Sequence, residues 1–175
     1  MARAARGRAR GRGRRGRGAP AASVITLART IDLPRSPDDA WAALWDVPAV
    51  ARCLPGCQAV EEVEPRRRYR ATVKDRVGPF AVTIPLDVGV DASDAERALH
   101  VQATGRDSVL GSPVRMTLTA RLTPGDGASS RLTLDGRAEV GGKLAALGQA
   151  VIHRKTRDIL EAFARNLGRM FGAAG

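Results

Sequence analysis

The sequence predicts an α+β fold in which a curved antiparallel sheet of seven strands wraps around one long C-terminal helix. The first observation is the stretch from Gly141 to Met170, where apolar residues recur at steps of three, four and seven without a proline, as on one stripe of a helix. The second is a series of short alternating segments before it, separated by turn residues. A sheet whose apolar faces all turn the same way must curl around something, and the helix fills its open side.

The chain divides into a basic arm, residues 1–22, and one folded domain, residues 23–172. Its 175 residues and 43% hydrophobic content suit one soluble domain with a real core. The formal charge of +11 is concentrated in the arm, because eight arginines and no acidic residue lie within residues 1–18. The folded domain is therefore only mildly basic and shows no basic stripe for nucleic acid.

The arm is a low-complexity Arg/Gly/Ala segment, which cannot bury enough apolar surface to offset its ordering entropy and is predicted to be disordered. One interpretation is an electrostatic arm for RNA, DNA or an anionic membrane surface. The other is a compositionally biased extension from a mis-assigned translation start. The arm contains no aromatic residue to stack on bases, which disfavours nucleic-acid binding.

Several classes of protein are excluded by what the sequence lacks. No run of 18 apolar residues exists, and no apolar segment follows the arginines, so neither a membrane-spanning helix nor a secretory signal is predicted. Cys53 and Cys57 lie four apart, which does not fit a CxxC motif, and His100 and His153 are distant from them. We expect two reduced thiols in a cytoplasmic protein, with no metal site and no cofactor.

The first strand and two short helices follow from local signals. Residues 23–33 alternate as in a half-buried strand. Ser36 can cap a helix that begins at Pro37 and runs to about Trp45. A second short helical turn begins at Pro48 and should end before Pro55, because a residue that precedes proline disfavours α geometry.

Six more strands precede the long helix. Gly78-Pro79 marks a tight hairpin, and Pro85 indicates a sheet edge or a bulge. Charged residues of the long helix, Lys155 among them, mostly fall off the apolar stripe and are expected on its wet face. The strands are predicted at residues 57–64, 69–77, 80–90, 99–105, 114–122 and 132–140.

No catalytic set is present: a nucleophile elbow, a phosphate-binding loop and paired metal ligands are all absent. Strand parity aims Asp75 inward, where an unpaired carboxylate would be costly, and places Asp107 on the equivalent side of its strand. Each could bind an arginine or a ligand hydroxyl, or could sit at a strand end in water. With Tyr69 they are the candidates for an acid or base in an enzyme.

Aromatic residues make up 3% of the chain, so the inward faces are lined mainly by Val, Leu, Ala and Met. Such an interior either packs tightly on small side chains or leaves an aliphatic cavity, which suits a hydrophobic small molecule. The predicted cavity residues are Leu54, Tyr69, Ala71, Val73, Asp75, Phe80, Val82, Ile84, Leu86, Val101, Met116, Leu118, Leu134, Leu144, Leu147, Val151, Ile152, Ile159 and Phe163.

Three segments carry a family resemblance: LPGC at 54–57, YRATVK at 69–74 followed by VGPF at 77–80, and AEVGGKLAALG at 138–148. Together and in this order they resemble the CoxG family of carbon monoxide dehydrogenase subunits, part of the START-like (SRPBCC, birch-allergen-like) superfamily. The resemblance covers about residues 25–171. It implies a helix-grip fold with a ligand cavity between the sheet and the long helix.

The resemblance also implies a non-enzymatic accessory role. Such a protein binds a quinone or another lipid and helps a molybdenum-containing CO dehydrogenase or related hydroxylase to meet the membrane. The arm departs from the family pattern and could supply a peripheral contact with an anionic membrane surface. The alternatives are a cyclase or dehydratase on a hydrophobic substrate, since the same superfamily hosts such enzymes, and a nucleic-acid-binding module that uses the arm.

Overall fold

The computed structural model describes residues 21–172, so the disorder predicted for the arm falls almost entirely outside the described residues. Seven strands and four helices make up the described part. In chain order they are β1 (Ser23–Leu33), α1 (Pro37–Leu44), α2 (Val47–Arg52), β2 (Cys57–Glu64), β3 (Arg68–Val77), β4 (Phe80–Ser93), β5 (Ala98–Arg106), β6 (Pro113–Pro124), β7 (Ser130–Val140), α3 (Gly142–Ala145) and α4 (Gln149–Met170).

The strands form one antiparallel sheet in the order β1-β7-β6-β5-β4-β3-β2, which does not close into a barrel. The predicted α+β class and the seven-stranded sheet are therefore confirmed. Strands β6 and β7 approach closely at Gly136, where a Cβ atom would lie 2.2 Å from the carbonyl oxygen of Thr117 on β6. Only glycine allows the two backbones to approach this closely.

The short helices start where their capping residues dictate. The hydroxyl of Ser36 accepts a hydrogen bond from the backbone N–H of Asp39 at 3.2 Å, with Pro37 in the first turn. The carboxylate of Asp46 accepts one from the N–H of Ala49 at 3.1 Å, so α2 begins at Val47. Leu44 of α1 shares a core cluster with Leu167 and Phe171, so α1 packs near the end of α4.

The prediction of one uninterrupted helix from Gly141 to Met170 is wrong. A four-residue helix, α3, ends at Ala145, and α4 begins after Gly148, whose φ of 94° and ψ of 154° cannot continue a helix. Helix α4 has 22 residues and is about 33 Å long. The apolar spacing runs through the break because Leu144 and Leu147 continue the apolar stripe, so periodicity alone does not reveal it.

Helix α4 packs chiefly against β1, and the core forms two clusters on that side of the molecule. The first cluster includes Leu33, Leu44 and Leu132 and receives Leu167 and Phe171 from the end of α4. The second cluster is built from Ile25, Leu27 and Ile152. The packed core therefore lies between α4, β1, β7 and β6, whereas most of β3, β4 and β5 lies outside it.

Candidate ligand-binding site

The face of the sheet that looks towards α4 can be identified from one contact. Asp75 of β3 pairs with Lys155 of α4 at 2.7 Å, so Asp75 and the residues two and four positions before it share the inner face. The pairing register of β3 with β4 and of β4 with β5 places the even-numbered residues of β4 and the odd-numbered residues of β5 on the same face. We use this inner face as the frame for the site.

The two halves of the inner face differ in burial. On β1, Ile25, Leu27 and Ile31 are buried under α4. On β3, β4 and β5, seven aliphatic side chains of the same face are only half-buried and belong to neither core cluster. We call this set the inner-face patch; it consists of Ala71, Val73, Ile84, Leu86, Val88, Val90 and Val101.

The predicted cavity residues divide into core residues and half-buried residues, and only some of the half-buried ones belong to the inner-face patch. The fully buried members are core residues in this structure: Tyr69, Val82, Leu134, Leu144 and Ile152. Partly buried Met116, Leu118 and Phe163 pack against the core clusters. Those that remain half-buried and belong to neither cluster are Leu54, Ala71, Val73, Phe80, Ile84, Leu86, Leu147, Val101 and Ile159. Val151 is 36% exposed and lies with Leu147 beside the β3–β4 hairpin.

One flank of α4 carries residues that are half-buried like the patch. Lys155, Ile159, Phe163 and Asn166 follow one another along this flank at helical spacing. Lys155 bonds to β3, and the side-chain amide of Asn166 donates to the backbone carbonyl of Cys53 at 3.0 Å, after α2. Helix α4 is thus bonded at two points, to β3 through Lys155 and to the residue after α2 through Asn166, and the section of helix between these points is apolar.

The expectation that Lys155 lies on a wet face is wrong, since its side chain is 29% exposed and pairs with a carboxylate that is 22% exposed. Its place in the i, i+4 series Val151, Lys155, Ile159 was the signal that could have revealed it. The inward orientation inferred for Asp75 agrees with the structure. Its partner is a lysine of α4, rather than the arginine considered from sequence.

Asp107 has a structural role. It is 1% exposed and accepts hydrogen bonds from the backbone N–H groups of Thr83, Val109 and Leu110. Neither alternative drawn from the sequence, a ligand contact or a strand end in water, describes this arrangement. A carboxylate that already accepts three backbone hydrogen bonds organises its loop and is poorly placed to exchange protons with a substrate.

Tyr69 also lies inside, with 3% exposure, and its hydroxyl has no hydrogen-bond partner among the described residues. Burial raises the pKa of Tyr69, and the nearby carboxylate of Glu62 adds to the rise. The phenol is therefore kept protonated. Burial likewise raises the pKa of the thiols of Cys53 and Cys57, which are both free.

A surface depression of about 720 Å³ lies mainly on the opposite, outer face of the sheet. Arg70, Asp87 and Arg106 contribute to its lining, and they have the strand parity opposite to Asp75 and the patch. Its lining is mixed, because Ala71, Pro85 and Leu86 also contribute to it, and the charged side chains among them make it a poorer match for a wholly apolar molecule than an aliphatic wall. The inner-face patch and the half-buried flank of α4 are the better candidate.

Within residues 21–172, no group of three or more His, Cys, Asp or Glu side chains is arranged to hold a metal ion. None of the helices in this range combines the length and the apolarity needed to cross a membrane.

Solved structures share this architecture. The chain is 21% identical to a conserved protein from Geobacillus kaustophilus, with a TM-score of 0.74 over 84% of this chain and 95% of that chain. It is 14% identical to a START superfamily protein from Mycobacterium smegmatis, with a TM-score of 0.62 over 83% and 96% of the two chains. It is 15% identical to the ZhuI aromatase/cyclase from Streptomyces sp. R1128, with a TM-score of 0.57 over 85% and 91%.

At these identities the similarity establishes the START-like fold and not the function. The comparison with curated proteins gives no match. The decisive match is to the model of the CoxG family, which is named for a subunit of carbon monoxide dehydrogenase, and it spans residues 30–171. Because that match covers most of the 175 residues, the chain belongs to the CoxG family of carbon monoxide dehydrogenase subunits.

Proposed function

We propose that this protein binds a quinone or another lipid-like molecule between α4 and the inner-face patch. In this role it is a non-catalytic accessory protein. It helps a molybdenum-containing CO dehydrogenase-type oxidoreductase to associate with the membrane or to pass electrons to it. Membership of the CoxG family supports the accessory role.

The observation that carries the ligand-binding proposal is the unequal packing of the inner face. Beneath one side of α4 the aliphatic side chains are sealed in the core, and on the other side seven of them keep part of their surface accessible. Each Å² of apolar surface removed from water contributes about 25 cal/mol, so an apolar ligand that covered these side chains would gain substantial binding free energy. Aliphatic walls with few polar groups are typical of sites for hydrophobic molecules.

The proposal is tested by identifying what the protein carries. Freshly purified protein is extracted with organic solvent, and the extract and the native protein are both analysed by mass spectrometry for quinones and isoprenoids. We expect a stoichiometric lipid-like molecule and saturable rebinding after its removal. Protein that carries no such molecule and shows no saturable quinone binding would contradict the proposal.

A matched pair of variants locates the site. Ala71 lies in the inner-face patch, whereas Ala81 is exposed on the outer face of the neighbouring strand. Ala71→Phe places a ring in the proposed ligand space and should weaken binding at least about tenfold, which corresponds to 1.4 kcal/mol. Ala81→Phe adds the same ring outside and should leave binding unchanged. Equal effects of the two substitutions would place the ligand elsewhere.

The partner enzyme is addressed separately. A tagged copy expressed in its own cells should retain molybdenum hydroxylase subunits during affinity purification, and removal of the protein should lower CO-dependent quinone reduction in membranes. If CO oxidation linked to the membrane were unaffected, the accessory role would be wrong even for a protein that binds lipid.

A catalytic function is the second candidate, favoured by the ion pair of Asp75 and Lys155 on the inner face. An enzyme of the cyclase or dehydratase type would need such an inward acid or base. Asp75→Asn should abolish turnover in that case, whereas an accessory protein should retain its ligand, because an amide oxygen at this position can still accept the hydrogen bond from Lys155. Tyr69 and Asp107 are weaker candidates because Tyr69 is buried in the core and Asp107 accepts hydrogen bonds from its own loop and from β4.

A further inference from the structure

An ion pair interrupts the otherwise apolar inner face of β3, β4 and β5. Lys155 lies on α4 between Val151 and Ile159, one helical turn from each, and its ammonium Nζ is 2.7 Å from Oδ1 of Asp75. Asp75 lies on β3 in the same inward row as Ala71 and Val73 of the patch. The pair therefore stands at one end of the inner-face patch, where helix and sheet meet.

The other end of the apolar section is closed by Asn166, which bonds to the carbonyl of Cys53. The two polar links are 11 residues apart along α4, a distance of about 16 Å. Between them the half-buried flank of the helix presents Ile159, Ala162 and Phe163. A ligand lying along this section would meet aliphatic and aromatic side chains along its length and a charged pair at one end.

The chemistry of the pair specifies what that end can recognise. An ammonium has three hydrogen-bond donors, and in the described structure one of them is directed to Asp75. The others can be offered to an oxygen acceptor of a ligand. The carboxylate balances the charge of the lysine, so the pair as a whole attracts an anion weakly and suits a neutral acceptor such as a carbonyl.

We propose that Lys155, held in place by Asp75, is the polar anchor of the site and donates a hydrogen bond to a carbonyl or similar uncharged oxygen at one end of a mainly apolar ligand. This inference rests on the proposed ligand-binding function and adds to it the ligand's chemical class and orientation. Asp75 acts as a positioning residue, and the ligand contact is made by the ammonium.

Two small probes with the same carbon skeleton, of which one carries two carbonyl oxygens, provide the test. Menadione is 2-methylnaphthalene with two carbonyl oxygens, so the pair separates recognition of the oxygen from recognition of the ring system. Binding of each probe to the full chain is measured by equilibrium dialysis. The wild type should bind both and should prefer menadione. In Lys155→Met the affinity for menadione should fall about tenfold, the range of one charge-assisted hydrogen bond, while that for 2-methylnaphthalene changes less than about twofold.

Lys143, a lysine of α3 outside the patch and the α4 flank, supplies the control: Lys143→Met should bind both probes as the wild type does. Lys155→Met leaves the carboxylate of Asp75 without its partner. The double variant Asp75→Asn, Lys155→Met removes both charges and should show the same loss of affinity for menadione with little change for 2-methylnaphthalene. If the wild type binds the two probes equally and neither variant alters the ratio, the anchor is refuted while hydrophobic binding stands. If neither probe binds the wild type, the proposed function itself fails.

Discussion

The carboxylate of Asp107 accepts a hydrogen bond from the backbone N–H of Thr83 at 2.7 Å, across 24 residues of sequence. Its second oxygen accepts from the N–H groups of Val109 and Leu110. One side chain thus closes the loop after β5 and ties it to β4. The contact also explains why a carboxylate can remain 1% exposed: the backbone donors around it replace water.

Replacement of Asp107 should destabilise the fold. Asp107→Ala leaves three backbone donors without an acceptor, and we expect the free energy of unfolding to fall by about 3 kcal/mol or more. Urea denaturation measures the change. Asp94, whose carboxylate bonds to Trp41 in an exposed position, is the control, and Asp94→Ala should cost less than about 0.5 kcal/mol. Similar losses in both variants would show that the loop of Asp107 does not depend on its carboxylate.

The break between α3 and α4 depends on Gly148. Its φ of 94° and ψ of 154° lie in a region that only glycine adopts readily, although nothing lies within 4 Å of where a Cβ would be. Gly148→Ala should therefore lower the unfolding free energy by about 1–3 kcal/mol through backbone strain alone.

Gly89 of β4 provides a matched control. It also has no atom within 4 Å of the place where an added methyl group would lie, and its φ is outside the left-handed region. Gly89→Ala should leave the unfolding free energy unchanged or raise it by up to about 1 kcal/mol. If thermal or urea unfolding gave the same result for both glycines, the break before α4 would not depend on the backbone freedom of Gly148.

Tyr69 should make the protein sensitive to alkaline pH. Its pKa is raised in the folded state, so the unfolded chain loses the phenolic proton first. The contribution of Tyr69 to the unfolding free energy is fully present at pH values below the unfolded pKa of about 10. It is lost as the pH rises from there through the folded pKa. The unfolding free energy of Tyr69→Phe should decline less than that of the wild type above this pH.

At neutral pH the same substitution tests the buried hydroxyl. No partner for this hydroxyl is found among the described residues, so Tyr69→Phe should leave stability unchanged or raise it by about 1 kcal/mol. Urea denaturation at pH 7 measures this difference. A loss above about 1.5 kcal/mol would mean that the hydroxyl is hydrogen-bonded after all.

Local signals predicted most of the fold. The alternation in residues 23–33 and the strand predicted at 57–64 give β1 and β2 with their observed bounds, and Ser36 caps α1 as expected. Strand parity also placed Asp75 on the inner face. These features depend on neighbours in sequence, which is why sequence reasoning reached them.

Features that depend on distant residues were missed. Lys155 was assigned to solvent because its partner, Asp75, lies 80 residues earlier and comes close only when helix and sheet are assembled. The division of the inner face into a packed half and a half-exposed half depends on where α4 settles, which is over β1. Apolar periodicity shows that a side chain turns inward, but it does not show whether another side chain covers it.

The bond between Asn166 and the carbonyl of Cys53 should hold the end of α4 against the α2–β2 connection. The bond is partly buried, so Asn166→Ala leaves an acceptor poorly hydrated and should lower the unfolding free energy by about 1–2 kcal/mol. Hydrogen exchange in residues 53–56 should accelerate, because the backbone there loses its link to the helix.

Gln149 provides a control that separates the effect of burial from the effect of losing a hydrogen bond. At the other end of α4 its side-chain amide makes the same kind of bond, to the carbonyl of Val24 at 2.7 Å, but in an exposed position. Water can replace that bond, so Gln149→Ala should cost less than about 0.5 kcal/mol and leave exchange in residues 53–56 unchanged. Because the two bonds differ mainly in exposure, a cost for Gln149→Ala as large as that for Asn166→Ala would show that α4 is held equally firmly at both ends. The burial of the Asn166 bond would then add nothing to its contribution to stability.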